Sequence, residues 1–230
     1  MKIGILVTGH TPGDLGAKHG TYADMFARLL AGHGFTFEAW NVVDGQFPPD
    51  IHACDGWLIT GSRHGAYDPL PWIAPLEAFI RKAYAAGVPL AGICFGHQVM
   101  AQALGGKVEK YKGGWGVGRA TYRTAEGETV ELHAMHQDQV TVKPEEAEVI
   151  ASSEFCENAG FAYRRNAISF QPHPEFSREF MRDLIAMRSG TVFSEDEAGR
   201  AIAGLEGTDD STRIAARIAE FFRQAAKVAA

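Results

Sequence analysis

Apolar positions along the chain fall into short continuous runs, separated by stretches with helical spacing. Residues 2–8 read as a buried strand, and residues 22–31 as a helix that gathers Met25, Phe26, Leu29 and Leu30 on one side. Residues 35–43 read as the next strand, and residues 56–60 as a third that ends in Gly61-Ser62. A helix over 72–86 closes at Gly87, a frequent place for the glycine that follows a helix. Residues 88–93 form a fourth strand that runs straight into Cys94 and a further helix. Residues 9–20 are rich in Gly, His, Pro and Asp and predict a loop at the carboxyl end of the first strand, where open α/β sheets place ligands.

After Gly106 the pattern changes. Strand-like pieces at 107–110, 117–123, 129–135, 139–142, 149–152 and 161–164 predict an antiparallel ribbon or small sheet, and 167–171 predicts a return to the main sheet. The tail is helical. Residues 179–188 form one helix, Ser194 with Glu197 resembles a capping box, and Ile214, Ile218, Phe221 and Phe222 form an apolar stripe after Asp209-Asp210. That stripe predicts docking against the domain itself. Alternating strands and helices imply an α/β fold: a doubly wound, mostly parallel sheet with helices on both faces, a small antiparallel β ribbon and a helical C-terminal tail. With no linker or repeat in view, residues 1–230 are expected to form one domain, with a helical extension from about residue 190.

Composition narrows the class. The chain has 230 residues, of which 46% are hydrophobic, enough for a sizeable core without staples. Its three cysteines, Cys54, Cys94 and Cys156, are odd in number and widely spaced, which suggests neither a disulfide framework nor a zinc knuckle and fits a reducing cytoplasm. The amino terminus is too short for a signal peptide before the first strand, and no apolar run reaches membrane-spanning length. A net charge of −6 without clustered Lys and Arg argues against nucleic acid as a partner and for a small molecule.

Candidate chemistry starts at Gly92-Ile93-Cys94-Phe95-Gly96-His97-Gln98, where a strand turns sharply into a helix with small residues on either side of a cysteine. Such a nucleophile elbow lifts the side chain above the sheet. A packed, unreactive thiol fits the same turn equally well. A cysteine nucleophile needs a base, usually a histidine oriented by a carboxylate. Of the nine histidines, His173 has the right setting: a strand ends, Pro172 and Pro174 restrict the backbone, and Glu175 follows closely enough to accept a hydrogen bond from the ring. The alternative for His173 is a rigid strand-exit turn with a surface imidazole.

Together, the Gly-x-Cys-x-Gly-x-Gln elbow and the later His-Pro-Glu resemble the class I, triad-type glutamine amidotransferases, from the first strand to about Phe176. The resemblance implies attack of a thiolate on a γ-carboxamide, a γ-glutamyl thioester, and hydrolysis. Cys94 would be nucleophile, His173 base and then acid, and Glu175 its orienter. The backbone N–H groups of Ser62 and Phe95 would form the oxyanion hole, with Gly61 giving the turn its freedom. Gln98 would face the γ-glutamyl group. His136 and Gln137 match the turn that contacts the substrate's amino acid end, although Met135 stands where a polar residue is common. No cofactor is implied. His133 and His136 form a His-x-x-His pair, but that spacing on a strand sends the rings to opposite faces, against metal binding. Gly113–Gly118 lacks the strand-before, helix-after context of a phosphate loop, and predicts a turn that carries Trp115 to the site mouth.

Residues 59–68, Trp72-Ile73, 92–98 and Gly114-Trp115 are similar to a stand-alone branch that includes γ-glutamyl peptidases. The expectation is a free-standing hydrolase acting on glutamine or a γ-glutamyl peptide or conjugate. The alternatives are a glutaminase that delivers ammonia to a separate synthetase subunit, and a non-enzymatic binding protein on the same scaffold.

Overall fold

The structure is a computed structural model that describes residues 1–164 and 166–228. Its spine is a sheet of nine strands in the order β2-β1-β3-β4-β11-β10-β9-β6-β7. These strands are β1 (Lys2–Leu6), β2 (Thr36–Trp40), β3 (Gly56–Ile59), β4 (Leu90–Ile93), β6 (Gly116–Thr124), β7 (Thr129–His136), β9 (Ala147–Ser152), β10 (Gly160–Tyr163) and β11 (Ala167–Phe170). From β2 to β11 neighbours run parallel, and from β11 to β7 they run antiparallel. Strands β1, β3, β4 and β11 are buried almost throughout, so their sequences are continuous apolar runs.

Helices cover both faces, as the alternation predicts. On one face α3 (Ile73–Ala85) and α4 (Phe95–Ala103) bury Leu76, Ile80, Phe95 and Val99 with Trp57 and Phe161. On the other, α2 (Tyr22–Leu29) and α7 (Ser211–Val228) bury Phe26, Ile214, Ile218 and Phe222 with Ile3, Ile5 and Ile93. Each large side chain fully removed from water contributes about 1.5–3 kcal/mol, so α7 is part of the core rather than a loose tail. The predicted stripe splits accordingly: Ile214, Ile218 and Phe222 are buried, whereas Phe221 is partly covered at the edge. A third cluster joins α1 (Leu15–His19), α5 (Arg178–Arg188) and α6 (Glu195–Ala203), and the capping box of Ser194 and Glu197 opens α6.

Three details differ from the sequence expectation. The loop over 9–20 contains α1, a turn of helix with no apolar period of its own; Leu15 buries against the third cluster while Lys18 and His19 reach Asp183 on α5. The second strand stops at Trp40, because Val42 is buried in a short 3₁₀ turn closed by Gly45 in a left-handed conformation. The antiparallel pieces divide in two: β6, β7, β9 and β10 extend the main sheet, and only β5 (Lys107–Lys110) and β8 (Asp138–Val142) form a separate ribbon.

Candidate active site

Three neighbouring strands deliver the site. In register, Ile59 of β3 pairs with Gly92 of β4, and Gly92 with Ser169 of β11, so the three chains leave the sheet at one level. Beyond them lie Gly61-Ser62, Cys94, and Gln171 to Glu175. Cys94 has φ 53° and ψ −105°, and among the described residues it is the one non-glycine with positive φ. An L-residue is strained there, and such strain persists only where surrounding structure enforces it. Here Cys94 N–H donates to the Phe170 carbonyl at 2.8 Å, and Gly96 N–H to the Thr60 carbonyl at 3.1 Å, which lock the turn from both adjacent strands. A Cβ on Gly96 would lie 2.3 Å from the Ile59 carbonyl oxygen, and one on Gly92 2.6 Å from the Gly96 backbone. The flanking glycines are therefore needed for close approach.

His173 is buried, and its Nδ1 donates to Glu175 Oε1 at 2.7 Å. Its ring stacks on Phe176 at 4.0 Å with an interplanar angle of 6°, and its N–H donates to the His133 carbonyl at 2.8 Å, which ties the turn to β7. A Cβ on Gly61 would lie 2.9 Å from His173 Cε1 and 3.6 Å from Cys94 Cβ, so Gly61 floors the cysteine–histidine pair. Desolvation by burial works against a charged ring. The negative charges of Glu175 and Cys94, with hydrogen bonds to both, overcome it and raise His173 from the ordinary histidine value to about 10. Glu175 Oε2 is buried without a partner among the described residues.

A cavity of about 560 Å³ opens over these groups and is lined by Gly61, Ser62, Cys94, Gln98, His136, Gln137 and His173. Phe95 is excluded from its wall: the ring packs on Trp72 in the core, which leaves only the backbone N–H of Phe95 to serve the site. Glu175 stands behind His173 and faces a second cavity. Gln98 lines the cavity with its amide group already engaged. Its amide group donates to the Asp138 carbonyl at 2.9 Å and to Gln171 Oε1 at 3.0 Å, which leaves the carbonyl oxygen as the group available to a ligand. Gln137 likewise donates to the Tyr111 carbonyl at 3.3 Å. His136 Nδ1 donates to the Asp138 carbonyl at 3.1 Å, burial pushes the ring down to about 4, and Nε2 has no partner.

His133 donates through Nδ1 to the Phe176 carbonyl at 2.9 Å, so it braces the His173 turn. Among the described residues no cluster of His, Cys, Asp or Glu is arranged to hold a metal, and no helix is long and apolar enough to cross a membrane. Trp115 lines the cavity, as its glycine-rich turn predicts. Sequence reasoning missed Tyr67, Lys110, Asp138 and Arg188 in the lining of the same cavity. Asp138 could have been found from its place directly after His136-Gln137. Arg188 carries no local signal at all. His97 was also missed: wholly buried, it bridges Ser169 Oγ at 2.8 Å and the Asn158 carbonyl at 3.0 Å, and desolvation pushes it down to about 3, so it is a neutral strut under the elbow.

Comparison with known proteins places this geometry. Residues 39–186 match the family described as Glutamine amidotransferase class-I. A glutamine amidotransferase-like protein of Schizosaccharomyces pombe is 30% identical, over 90% of this chain and 93% of its own length. Gamma-glutamyl peptidase 4 of Arabidopsis thaliana is 34% identical, over 73% of this chain and 72% of its own. A crystal structure of a Thermotoga maritima glutamine amidotransferase superposes with a TM-score of 0.75, covering 98% of each chain at 18% identity, a likeness of fold alone. The family match spans the strands that carry the elbow and the His-Pro-Glu turn, and with the identity to relatives of nearly equal length it shows that this chain belongs to the class I glutamine amidotransferases.

Proposed function

We propose that the protein hydrolyses a γ-glutamyl amide bond through a thioester on Cys94. The observation that carries this reading is the raised His173, held by Glu175 on one side and Cys94 on the other in the lining of the cavity. A charged imidazole beside the sulfur is the partner a thiolate nucleophile needs.

In the proposed sequence the Cys94 sulfur attacks the side-chain carbonyl carbon of the γ-glutamyl group. The resulting oxyanion is received by the N–H groups of Ser62 and Phe95; among the described residues neither donates to a backbone or side-chain acceptor, and the second opens α4 with its helix dipole. His173 gives its proton to the leaving nitrogen, the C–N bond breaks, and an amine or ammonia departs. Water then attacks the thioester while His173 takes its proton, which releases a free γ-carboxylate and restores the thiolate. The Gln98 carbonyl oxygen and the half-buried Asp138, beside Lys110, suit the ammonium and carboxylate of the glutamyl end.

The test is to incubate the purified chain with glutamine, glutathione and a γ-glutamyl anilide, and to look for a γ-glutamyl adduct on Cys94 by mass spectrometry. Release without a second protein, together with an adduct that Cys94→Ala abolishes, is expected. Negligible release from all three that rises when a synthetase subunit is added would instead support ammonia delivery.

A further inference from the structure

The cavity has two unlike walls. One gathers around Asp138, whose carboxylate accepts from the Tyr67 hydroxyl at 3.0 Å, whose carbonyl accepts from Gln98 at 2.9 Å and which pairs with Lys110 in the β5–β8 ribbon; with Asp68 they form a mixed set of charges that suits a zwitterionic amino acid end. The other carries Leu184, Met187 and Val192 from α5 and the turn after it, with Trp115 and Met135, and is apolar apart from Arg188. Met187 and Val192 are exposed at 43% and 42%, unusual for large apolar side chains, and they stand on either side of Arg188 in sequence. Met135, the residue that departs from the polar pattern of the family, packs into the cluster behind this wall with Phe176, Leu184 and Phe193.

Arg188 is partly buried, and among the described residues it has no carboxylate partner. Its helix does not lack acids or pairs: Asp183 is held by Lys18 and His19, and Arg178 and Arg182 both reach Glu206. Desolvation pushes the Arg188 guanidinium down from its ordinary value, and its nearest electrostatic neighbours are the hydroxyl of Tyr22, which burial keeps neutral, and the Cys94 sulfur. The backbone that carries it is fixed, because the Arg188 carbonyl accepts from the N–H groups of Thr191, Val192 and Phe193 at 3.2, 2.9 and 3.3 Å. A desolvated guanidinium that lines the cavity without an acid beside it is suited to bind a carboxylate in the planar, two-toothed manner open to arginine.

We infer that Arg188 receives a free carboxylate on the leaving group, and that the apolar wall receives that group's side chain. This rests on the hydrolase reading above and deepens it. The preferred substrates are then γ-glutamyl amino acids or peptides in which the released amine carries an apolar side chain and an unblocked carboxylate. Ammonia, the leaving group of glutamine, uses neither feature.

The test compares kcat/KM for γ-glutamyl-phenylalanine, its carboxamide, and glutamine, in the wild type, Arg188→Gln and Arg188→Lys. The wild type is expected to favour the free acid over the carboxamide by about 10- to 100-fold, the range of a charge-assisted contact. Arg188→Gln should erase that preference, chiefly through KM, with a loss on the free acid at least about tenfold greater than any loss on glutamine; Arg188→Lys should recover part of it. Glutamine turnover also reports that each variant is folded. Equal losses on all three substrates would assign Arg188 to the glutamyl end, and a wild type that does not distinguish acid from carboxamide would leave it no role in the leaving group; either result overturns the inference. Failure of the hydrolase reading looks different: no substrate, glutamine included, would form an adduct on Cys94.

Discussion

Strands β3, β4 and β11 lie side by side in the parallel half of the sheet, and the loops that leave them carry Ser62, Cys94 and His173 to one point. Strands β6 and β7, in the antiparallel half, bring Trp115, Met135, His136 and Gln137 to the same cavity by way of their connections and ends. The first set is held by the register of the sheet itself: Cys94 bonds to β11, Gly96 to the end of β3, and a Cβ on Gly96 would collide with backbone. In the second set Met135 and His136 are themselves in register with Val117 and Gly116 of β6, whereas Trp115 lies outside that ladder, edge-on to Phe193 at 5.4 Å, and Gln137 is tied to Tyr111 through both its backbone and its side chain. On the function proposed above, the loops of the parallel half would make and break the bond, and Trp115, held only by packing among the described residues, would help to choose what enters.

That contrast can be broken most directly at Cys94. Replacing it with alanine should lower turnover by at least about 1000-fold on every γ-glutamyl substrate, because the proposed covalent route is gone. Stopped assays with glutamine and a γ-glutamyl peptide check this, and comparable residual rates would show that the elbow cysteine is only packed.

A smaller but still large loss is expected from Gly61→Ala, whose new methyl would lie 2.9 Å from His173 Cε1. Displacing a reacting pair by a fraction of an ångström costs about 10- to 100-fold; the loss should fall on kcat for all substrates, with the unfolding midpoint in denaturant moved little. Loss of a single substrate only would place Gly61 in the recognition half.

The acid–base prediction follows in size. His173 lies above its ordinary value because Glu175 and Cys94 outweigh burial, so its proton should be lost only on approach to pH 10. The alkaline limb of kcat/KM should therefore lie well above 6.5. Glu175→Gln removes the neighbouring charge, so the same limb should move to lower pH and the rate should fall about 10- to 100-fold. Linked stability has the same sign: the raised pKa contributes fully below the unfolded histidine value near 6.5 and fades as pH climbs toward 10. An alkaline limb at 6.5 in the wild type would contradict the ion-pair account.

The smallest effect belongs to the antiparallel half. Trp115→Ala should raise KM for apolar γ-glutamyl peptides about 3- to 10-fold while changing kcat on glutamine by less than about twofold. A matching loss of kcat on glutamine would dissolve the division between the two halves.

How far the chain could be read in advance depended on how local each feature is. The elbow is legible because three requirements coincide within a few residues: an apolar strand, glycines where backbones nearly touch, and a helix start. His173 and Glu175 are legible for a similar reason, as prolines on both sides leave the turn few conformations. The partners of Gln98 were not legible, since its amide is engaged by Asp138 and Gln171, residues far away in sequence. Helix α1 was invisible because its five residues are stabilised by contacts with α5 rather than by propensity.

By itself the sequence determined the alternation of strands and helices, the burial of the parallel strands, and the two short motifs whose residue types imply a cysteine with a histidine and a carboxylate. Only the tertiary structure decided that the antiparallel strands extend the main sheet, that His173 and Cys94 meet over Gly61, and that Arg188, from the end of a helix without any motif, stands in the same cavity with no carboxylate partner among the described residues. The physical reason is range: periodicity, capping and tight turns are settled by forces between near neighbours in the chain. The charge on an imidazole and the neighbours of a guanidinium depend on which distant segments the fold brings within a few ångströms.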